Sequence, residues 1–481
     1  MENTKKVVTR FAPSPTGFAH IGSIRTALYA YLWARKNNGT FILRIEDTDQ
    51  ARSVEGSLEH LQNSLKWLSL DWDFGPDKPG SFGSCIQSER LDTYREWADK
   101  LVAKGLAYPD PYTPQEVEAF RQKAQEEKRP FLFRDHRPET FEVWDGTKAL
   151  RFKVSDIKRY EWFDEARGTL SAGPEALDDF ILLKADGFPT YNLAHIVDDY
   201  NMGVTHIFRS DEWISSFPRF LSLYDAFEIE HPVFVTLPPI LRDDRTKKLG
   251  KRDGAKDVLD YKKEGYLPDA MLNYLALIGW NPGTEQEIFS LQEMIEAFTP
   301  NRIQKSGAVA NEEKLEWINR EHIKQLSSTE FWNYAKEWIP SEVIGNEMLF
   351  KTEQLLRDRI EKFGDLTELL SNEFEYFFKQ PSVDEKMVIW KTLKEDPEGL
   401  VKTKQYLAHV GNLLASVIET EWNYESIKAA VITYADEEGK GNVLWPLRVT
   451  LTGKEKSPDP FEVASILGKD ATLARIAAVL V

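Results

Sequence analysis

A single cysteine, Cys85, stands in a chain of 481 residues, so no internal disulfide and no cysteine-rich zinc site can form. Histidine is also scarce, with 8, and no two share the helical spacing of a metal-ligating pair. No apolar run approaches the ~20 residues that a membrane-crossing helix needs. Basic residues are in deficit, 61 Lys and Arg against 78 Asp and Glu, a formal charge of −17. That argues against a nonspecific nucleic-acid binder, which would be basic, but one specific RNA can still be held by a local basic stripe. The opening MENTKKVVTRFAPSPTG lacks the apolar core of a signal peptide and the Arg/Ser-rich pattern of a transit segment, so the expected location is the cytoplasm. What is present, 42% hydrophobic and 29% charged, is the balance of a soluble globular protein long enough for three or more domains.

The N-terminal stretch alternates strand and helix: a strand over 6–11, a Pro/Gly-broken loop over 12–17, a helix over 22–37 and a strand over 40–45. Amphipathic helices follow over 55–68 and 91–104. Such alternation predicts an α/β domain with a parallel sheet, whose ligands bind at the carboxyl ends of the strands. From about 109 the texture becomes polar and turn-rich, as in an insertion, with a helix over 112–129 and a β-like patch over 149–154. Strand patterns resume over 179–183, 204–208 and 233–236, and helices are expected over 211–227 and 267–277. Beyond about 313 only helical patterns occur, broken near Pro340, Pro381, Pro397 and Gly439.

Four constellations carry chemistry. Residues 10–23 read RFAPSPTGFAHIGS, a strand end, a Pro/Gly loop and a helix start, which aims backbone N–H groups and the positive helix end at an anion. His20 can donate to a phosphate there, and Gly22 permits close approach. Residues 247–252, KKLGKR, preceded by Arg242 and Arg245, suit a clamp on a triphosphate, where charge builds as pyrophosphate leaves. A solvated basic loop is the ordinary reading of such a run alone. Residues 44–49, RIEDTD, place acids and an arginine where an apolar strand stops. Acids there can hold an ammonium, with Arg10 one strand away to hold a carboxylate, although helix capping is the commoner use of such acids. Residues 186–199, DGFPTYNLAHIVDD, and 209–213, RSDEW, bring Tyr191, His195 and Arg209 as candidates for the same pocket; an ion pair is the plain alternative for Arg209.

These four phrases, in this order and across nearly the whole chain, resemble glutamyl-tRNA synthetases of the bacterial type, which are class I aminoacyl-tRNA synthetases. The resemblance implies a Rossmann-type catalytic domain (1–108 and 179–240), an α+β acceptor-stem-binding insertion (109–178), a stem-contact region with the lysine signature (241–325) and an all-α anticodon-binding region (326–481). It implies catalytic roles for His20, Gly22, Lys248 and Lys251. Arg10, Ser14, Glu46, Tyr191, His195 and Arg209 then fall at glutamate-binding positions. His20, Gly22, Ser23, Glu212, Leu241, Lys248, Lys251 and Arg252 fall at ATP-contacting ones. Arg357 and Arg359 lie near where relatives contact anticodon bases. The implied partners of a monomer are ATP with Mg2+, L-glutamate and tRNA(Glu), with use of tRNA(Gln) left open by the sequence.

Three departures accompany the resemblance. Gly250 replaces the usual serine of the lysine signature, for which a modest rate effect is expected. His195 stands where some relatives have another residue. The insertion holds no cysteine and one histidine, His136, so the zinc of some relatives is not expected. The rival readings are a glutaminyl-tRNA synthetase of the same fold and an inactive tRNA-binding paralogue. The glutamine enzymes usually end in β-barrels, which the strand-poor C-terminal half argues against, and the intact His20, Gly22, Lys248 and Lys251 argue against the second.

Overall fold

The computed structural model describes residues 6–242, 247, 249 and 256–481. Parallel strands need a crossover, and the first is built as the periodicity predicts: β1 (Val8–Phe11), α1 (Ile21–Lys36) and β2 (Thr40–Leu43). Ile24, Leu28 and Leu32 of α1 are fully buried, and Thr9 in β1 donates to Ala30 O at 2.8 Å. The return from helix to strand requires glycine at 39, because a side chain there would meet the Val7 carbonyl oxygen at 2.3 Å.

Two more parallel strands, β8 (His206–Ser210) and β9 (Val233–Leu237), follow α5 (Tyr191–Asn201) and precede or follow α6 (Phe217–Phe227). Their helices face the sheet with Leu193, Ile196, Val197, Phe220 and Leu223, all buried. The six-stranded sheet runs β2-β1-β8-β9 and then β5 (Tyr160–Asp164) and β6 (Gly168–Ala172). Chain order reverses between β1 and β8, which opens a crevice beyond their carboxyl ends.

Sheet membership holds a finding that periodicity does not anticipate. The hairpin β5 (Tyr160–Asp164) and β6 (Gly168–Ala172) extends the main sheet, joined to β9 through Asp164 and Phe234. The strand expected over 179–183 is β7 (Phe180–Leu183), and it pairs instead in a separate antiparallel sheet with β3 (Ala107–Pro109) and β4 (Leu150–Phe152). A buried carboxylate organises that corner. Asp179 accepts from Tyr108 Oη at 2.7 Å, from the Val154 N–H at 2.9 Å and from the guanidinium of Arg137. The polar helix α4 (Pro114–Glu126) begins with a Thr113–Glu116 capping box, and its Phe120 stacks on His136 at 4.2 Å.

The chain divides into two compact units, Met1–Lys263 with Leu267–Ile318, and Glu264–Tyr266 with Asn319–Val481. The second unit holds no strand among the described residues. Its core is formed by helices Gly399–Ala415, Tyr424–Glu438, Lys440–Thr452 and Lys469–Leu480, through buried Leu407, Val410, Val431, Leu447 and Ile476. Gly439, at φ 94°, separates the second and third of these.

Candidate active site

A cavity of about 950 Å³ opens beyond the carboxyl ends of β1 and β8. Its wall includes Arg10, Ser14, His20, Gly22, Ser23, Glu46, Tyr191, Arg209 and Glu212, drawn from four separate stretches of sequence. His20 caps α1: its Nδ1 accepts the Gly22 N–H at 3.1 Å, while Ser23 Oγ accepts the His20 N–H at 3.2 Å. With Nδ1 accepting, a neutral His20 carries its proton on Nε2 and is a donor at the helix N-terminus. A Cβ at position 22 would lie 3.0 Å from His20 Cε1, so the glycine also leaves the ring its place.

Behind the wall lies a buried ionic cluster. Asp199 Oδ1 takes both Arg10 Nε at 3.0 Å and Arg44 Nη1 at 2.7 Å, and Arg44 Nη2 reaches Glu46 Oε1 at 3.0 Å. Asp198 accepts from Gln87, Arg90 and Tyr94, each at 2.8 Å. Burial alone would raise the Asp199 carboxyl, but Arg10 and Arg44 hold it far below the usual range, so it is ionised. Glu46 is shifted upward by its burial, with Arg44 and Arg10 opposing. Sequence reading missed Asp199 as the partner of Arg10 and Arg44; the only signal was an acidic pair, Asp198-Asp199, inside an apolar helical run.

Arg209 differs from all of these. It is 5% exposed, yet Nε, Nη1 and Nη2 have no hydrogen-bond partner among the described residues. Its guanidinium lies 5.6 Å from the Phe217 ring centre and 5.4 Å from that of Phe220. The ion pair expected as its plain alternative is not formed among the described residues. A buried cation with open donors on a cavity wall can receive a carboxylate in bidentate fashion.

Two expected site residues lie elsewhere. His195 is 1% exposed and outside the wall. It stacks at 4.5 Å on Tyr191, and its Nδ1 lies 2.6 Å from Tyr191 O. The reason is helical: four residues on from Tyr191, it lies on the same face of α5 one turn deeper. Burial, then the Arg209 charge, pushes its pKa well down, so it is neutral. Leu241 belongs to β10 (Ile240–Leu241), paired with β11 (Ala308–Val309), while Ile240 and Leu249 line the cavity in its stead. Alternation along a strand sends neighbours to opposite faces. Lys248, Gly250, Lys251, Arg252 and Arg245 lie outside the described residues.

The cavity wall also includes Arg25 and Lys184, which the sequence did not single out. Arg25 is 3% exposed and donates from Nη1 to Ile278 O at 3.0 Å and from Nη2 to Pro238 O. Its position within a helix beginning at the His20 motif was the available signal. In the second unit Arg357 is a structural residue. It is 5% exposed, pairs with Glu353 at 2.7 Å and donates to Ile323 O at 2.7 Å, so the expected RNA contact is withdrawn for it. Arg359 is exposed.

Comparison with known proteins agrees with this geometry. The family described as tRNA synthetases class I (E and Q), catalytic domain, matches residues 6–317, and the anticodon binding domain family matches 316–480. A glutamate–tRNA ligase of Clostridium botulinum is 41% identical over 98% of both chains, and one of Clostridium tetani 40% identical over 98% of this chain and 97% of its own. Among solved structures, a glutamate tRNA ligase from Elizabethkingia meningosepticum, crystallised with its amino acid, superposes with a TM-score of 0.85 at 31% identity over 99% of both chains.

Proposed function

The chain belongs to the class I tRNA synthetases for glutamate and glutamine, and from that premise we infer that it ligates L-glutamate to tRNA with ATP as the driving reactant. The observation that carries the choice of glutamate is Arg209, a buried cation whose donors await an anion. Glutamine would leave that charge unpaired, and a site built around a charge rejects the analogue that lacks its partner.

Arg209 and Tyr191 hold the side-chain carboxylate, with Arg10 fixed beside them by Asp199. Glu46 and Ser14 hold the ammonium end. ATP lies along the start of α1, where the N-terminal dipole, Gly22 and Ser23 face its phosphates and the His20 Nε2–H donates to them. Glu212 lies on the same wall and faces the nucleotide, while Leu241 supports the strand behind it. Lys248, Lys251 and Arg252 neutralise the charge that grows on the phosphates. A glutamate α-carboxylate oxygen attacks the α-phosphorus in line, the bond to the bridging oxygen breaks and pyrophosphate leaves. A terminal ribose hydroxyl then attacks the adenylate carbonyl, and AMP leaves. Both nucleophiles come from substrates, so the protein supplies position and electrostatics.

Magnesium would accompany ATP and would supply neutralisation of phosphate charge there. Among the described residues no group of three or more His, Cys, Asp and Glu is arranged to hold a metal. His136 stacks on Phe120 and Phe131. Residues 109–178 meet the acceptor stem, 241–325 the stem below it and 326–481 the anticodon, with Arg359 as an RNA contact. The enzyme acts as a cytoplasmic monomer; no helix among the described residues is long and apolar enough to cross a membrane.

The test is aminoacylation with radiolabelled glutamate and glutamine in parallel, on purified tRNA(Glu) and tRNA(Gln), with Lys251→Ala as control. Charging of tRNA(Glu) with glutamate that collapses in the control supports this reading. Glutamine charging would transfer the chain to the glutamine branch. RNA binding without any charging would leave an inactive paralogue.

A further inference from the structure

One side-chain pair outside the cavity wall joins the two stretches that carry the phosphate-directed motifs. His60 lies in α2 (Ser57–Trp67), and its neighbours Ser57, Leu58 and Leu61 line the cavity while its own side chain does not. Its ring packs at a tilt against Phe18, with centres 4.6 Å apart, and its Nδ1 accepts the Ala19 N–H at 3.4 Å. That assignment places the proton on Nε2, which lies 2.7 Å from the Asp257 carboxylate. Asp257 forms a bridge with His20, and the next residue, Val258, donates its N–H to Ala19 O at 3.1 Å. One imidazole therefore binds residues 18–19 on one edge and residue 257 on the other.

We propose that His60 and Asp257 are positioning residues, which hold the chain at residues 257–258, beyond the trailing end of the signature segment 247–252, in register with the turn at residues 18–22. The inference rests on reading Lys248 and Lys251 as phosphate ligands. The leading end of that segment has its own anchors: β10 pairs with β11, the Leu249 N–H donates to Ile240 O at 2.7 Å and the Arg242 N–H to Lys247 O at 3.0 Å. At the trailing end, backbone contacts with residues 19 and 20 are reinforced by the His60–Asp257 pair and by Lys256 with Glu312 at 2.9 Å. Both phosphate-directed motifs must meet one triphosphate, so an error in their mutual placement falls on the nucleotide step and not on glutamate recognition.

The experiment measures steady-state tRNA-dependent ATP–pyrophosphate exchange and thermal melting on the full chain for His60→Ala, His60→Gln, Asp257→Ala, the double alanine variant and Lys251→Ala. His60→Ala is expected to lower kcat/KM for ATP by about ten- to a hundredfold, the scale of a misplacement of roughly 1 Å. KM for glutamate should stay within about twofold, because its wall is untouched. His60→Gln, whose side-chain amide can still donate to Asp257, should recover most of the loss, and the double variant should be no worse than Asp257→Ala. A His60→Ala enzyme with unchanged kcat/KM for ATP, beside a Lys251→Ala enzyme that has collapsed, overturns the proposal alone. Parallel loss of ATP and glutamate parameters with lowered melting, or no rescue by His60→Gln, also overturns it, since that is what a merely structural histidine would give. An active Lys251→Ala enzyme would instead refute the phosphate-ligand reading beneath it.

Discussion

Replacing Arg209 by methionine separates recognition from stability more sharply than any other change in the cavity. Arg209 is 5% exposed and its three nitrogens lack hydrogen-bond partners among the described residues, so the unliganded protein bears the desolvation of a charge with little return. Its contacts with Phe217 and Phe220 return only about 0.5–2 kcal/mol, and the methionine stem keeps much of that packing. The variant should therefore melt at or slightly above the temperature of the parent. Bound glutamate, by contrast, would lose a desolvated charge-assisted pair, which costs about 2–5 kcal/mol. At ~1.4 kcal/mol per decade, kcat/KM for glutamate should fall about 30- to 4,000-fold while KM for ATP changes little. Aminoacylation with varied glutamate, beside a melting curve, reads both. A fall of less than about tenfold, or a variant that melts well below the parent, would refute the idea that this cation awaits a ligand.

Asp199→Asn should do the reverse. It leaves Arg10 and Arg44 without their shared carboxylate, and breaking one partner of a buried pair costs about 3–5 kcal/mol, which denaturant unfolding would register. His206, pushed down to about 4 by burial, binds fewer protons folded than unfolded between pH 4 and its ordinary 6.5. Its contribution to stability is complete above that window and is lost as pH falls through it, so His206→Gln should flatten the acid limb of a melting-temperature profile. In the helical unit, Arg357→Ala should lower stability, because Glu353 and the Ile323 carbonyl lose their buried partner. Arg359→Ala should leave melting unchanged and weaken tRNA binding in a filter assay, with a reduced salt slope.

Where local chemistry is strong, the sequence by itself determined the outcome. The period of α1, the stop at Asn38-Gly39 and the Pro/Gly loop before His20 specify strand, loop and helix through contacts a few residues apart. The same holds for the helical character of the C-terminal half and for the motif residues that gather on one wall. The hairpin at 160–172 escaped because the five-residue strands YEWFD and GTLSA give a weak pattern, and only pairing with β9 makes them part of the sheet. The sheet that β7 joins was likewise invisible, since periodicity fixes a strand's faces and says nothing about its neighbours. Tertiary structure alone decided which charges are spent and which are held in reserve. Arg10 and Arg209 look alike in sequence, each on a short strand near the same crevice. Yet Asp199, 189 residues from Arg10 along the chain, neutralises the first and leaves the second open. His195 and Leu241 show the same limit, because one helical turn or one strand residue moves a side chain off the wall. Electrostatic pairing and facing depend on distances in space, and no spacing along the chain encodes them.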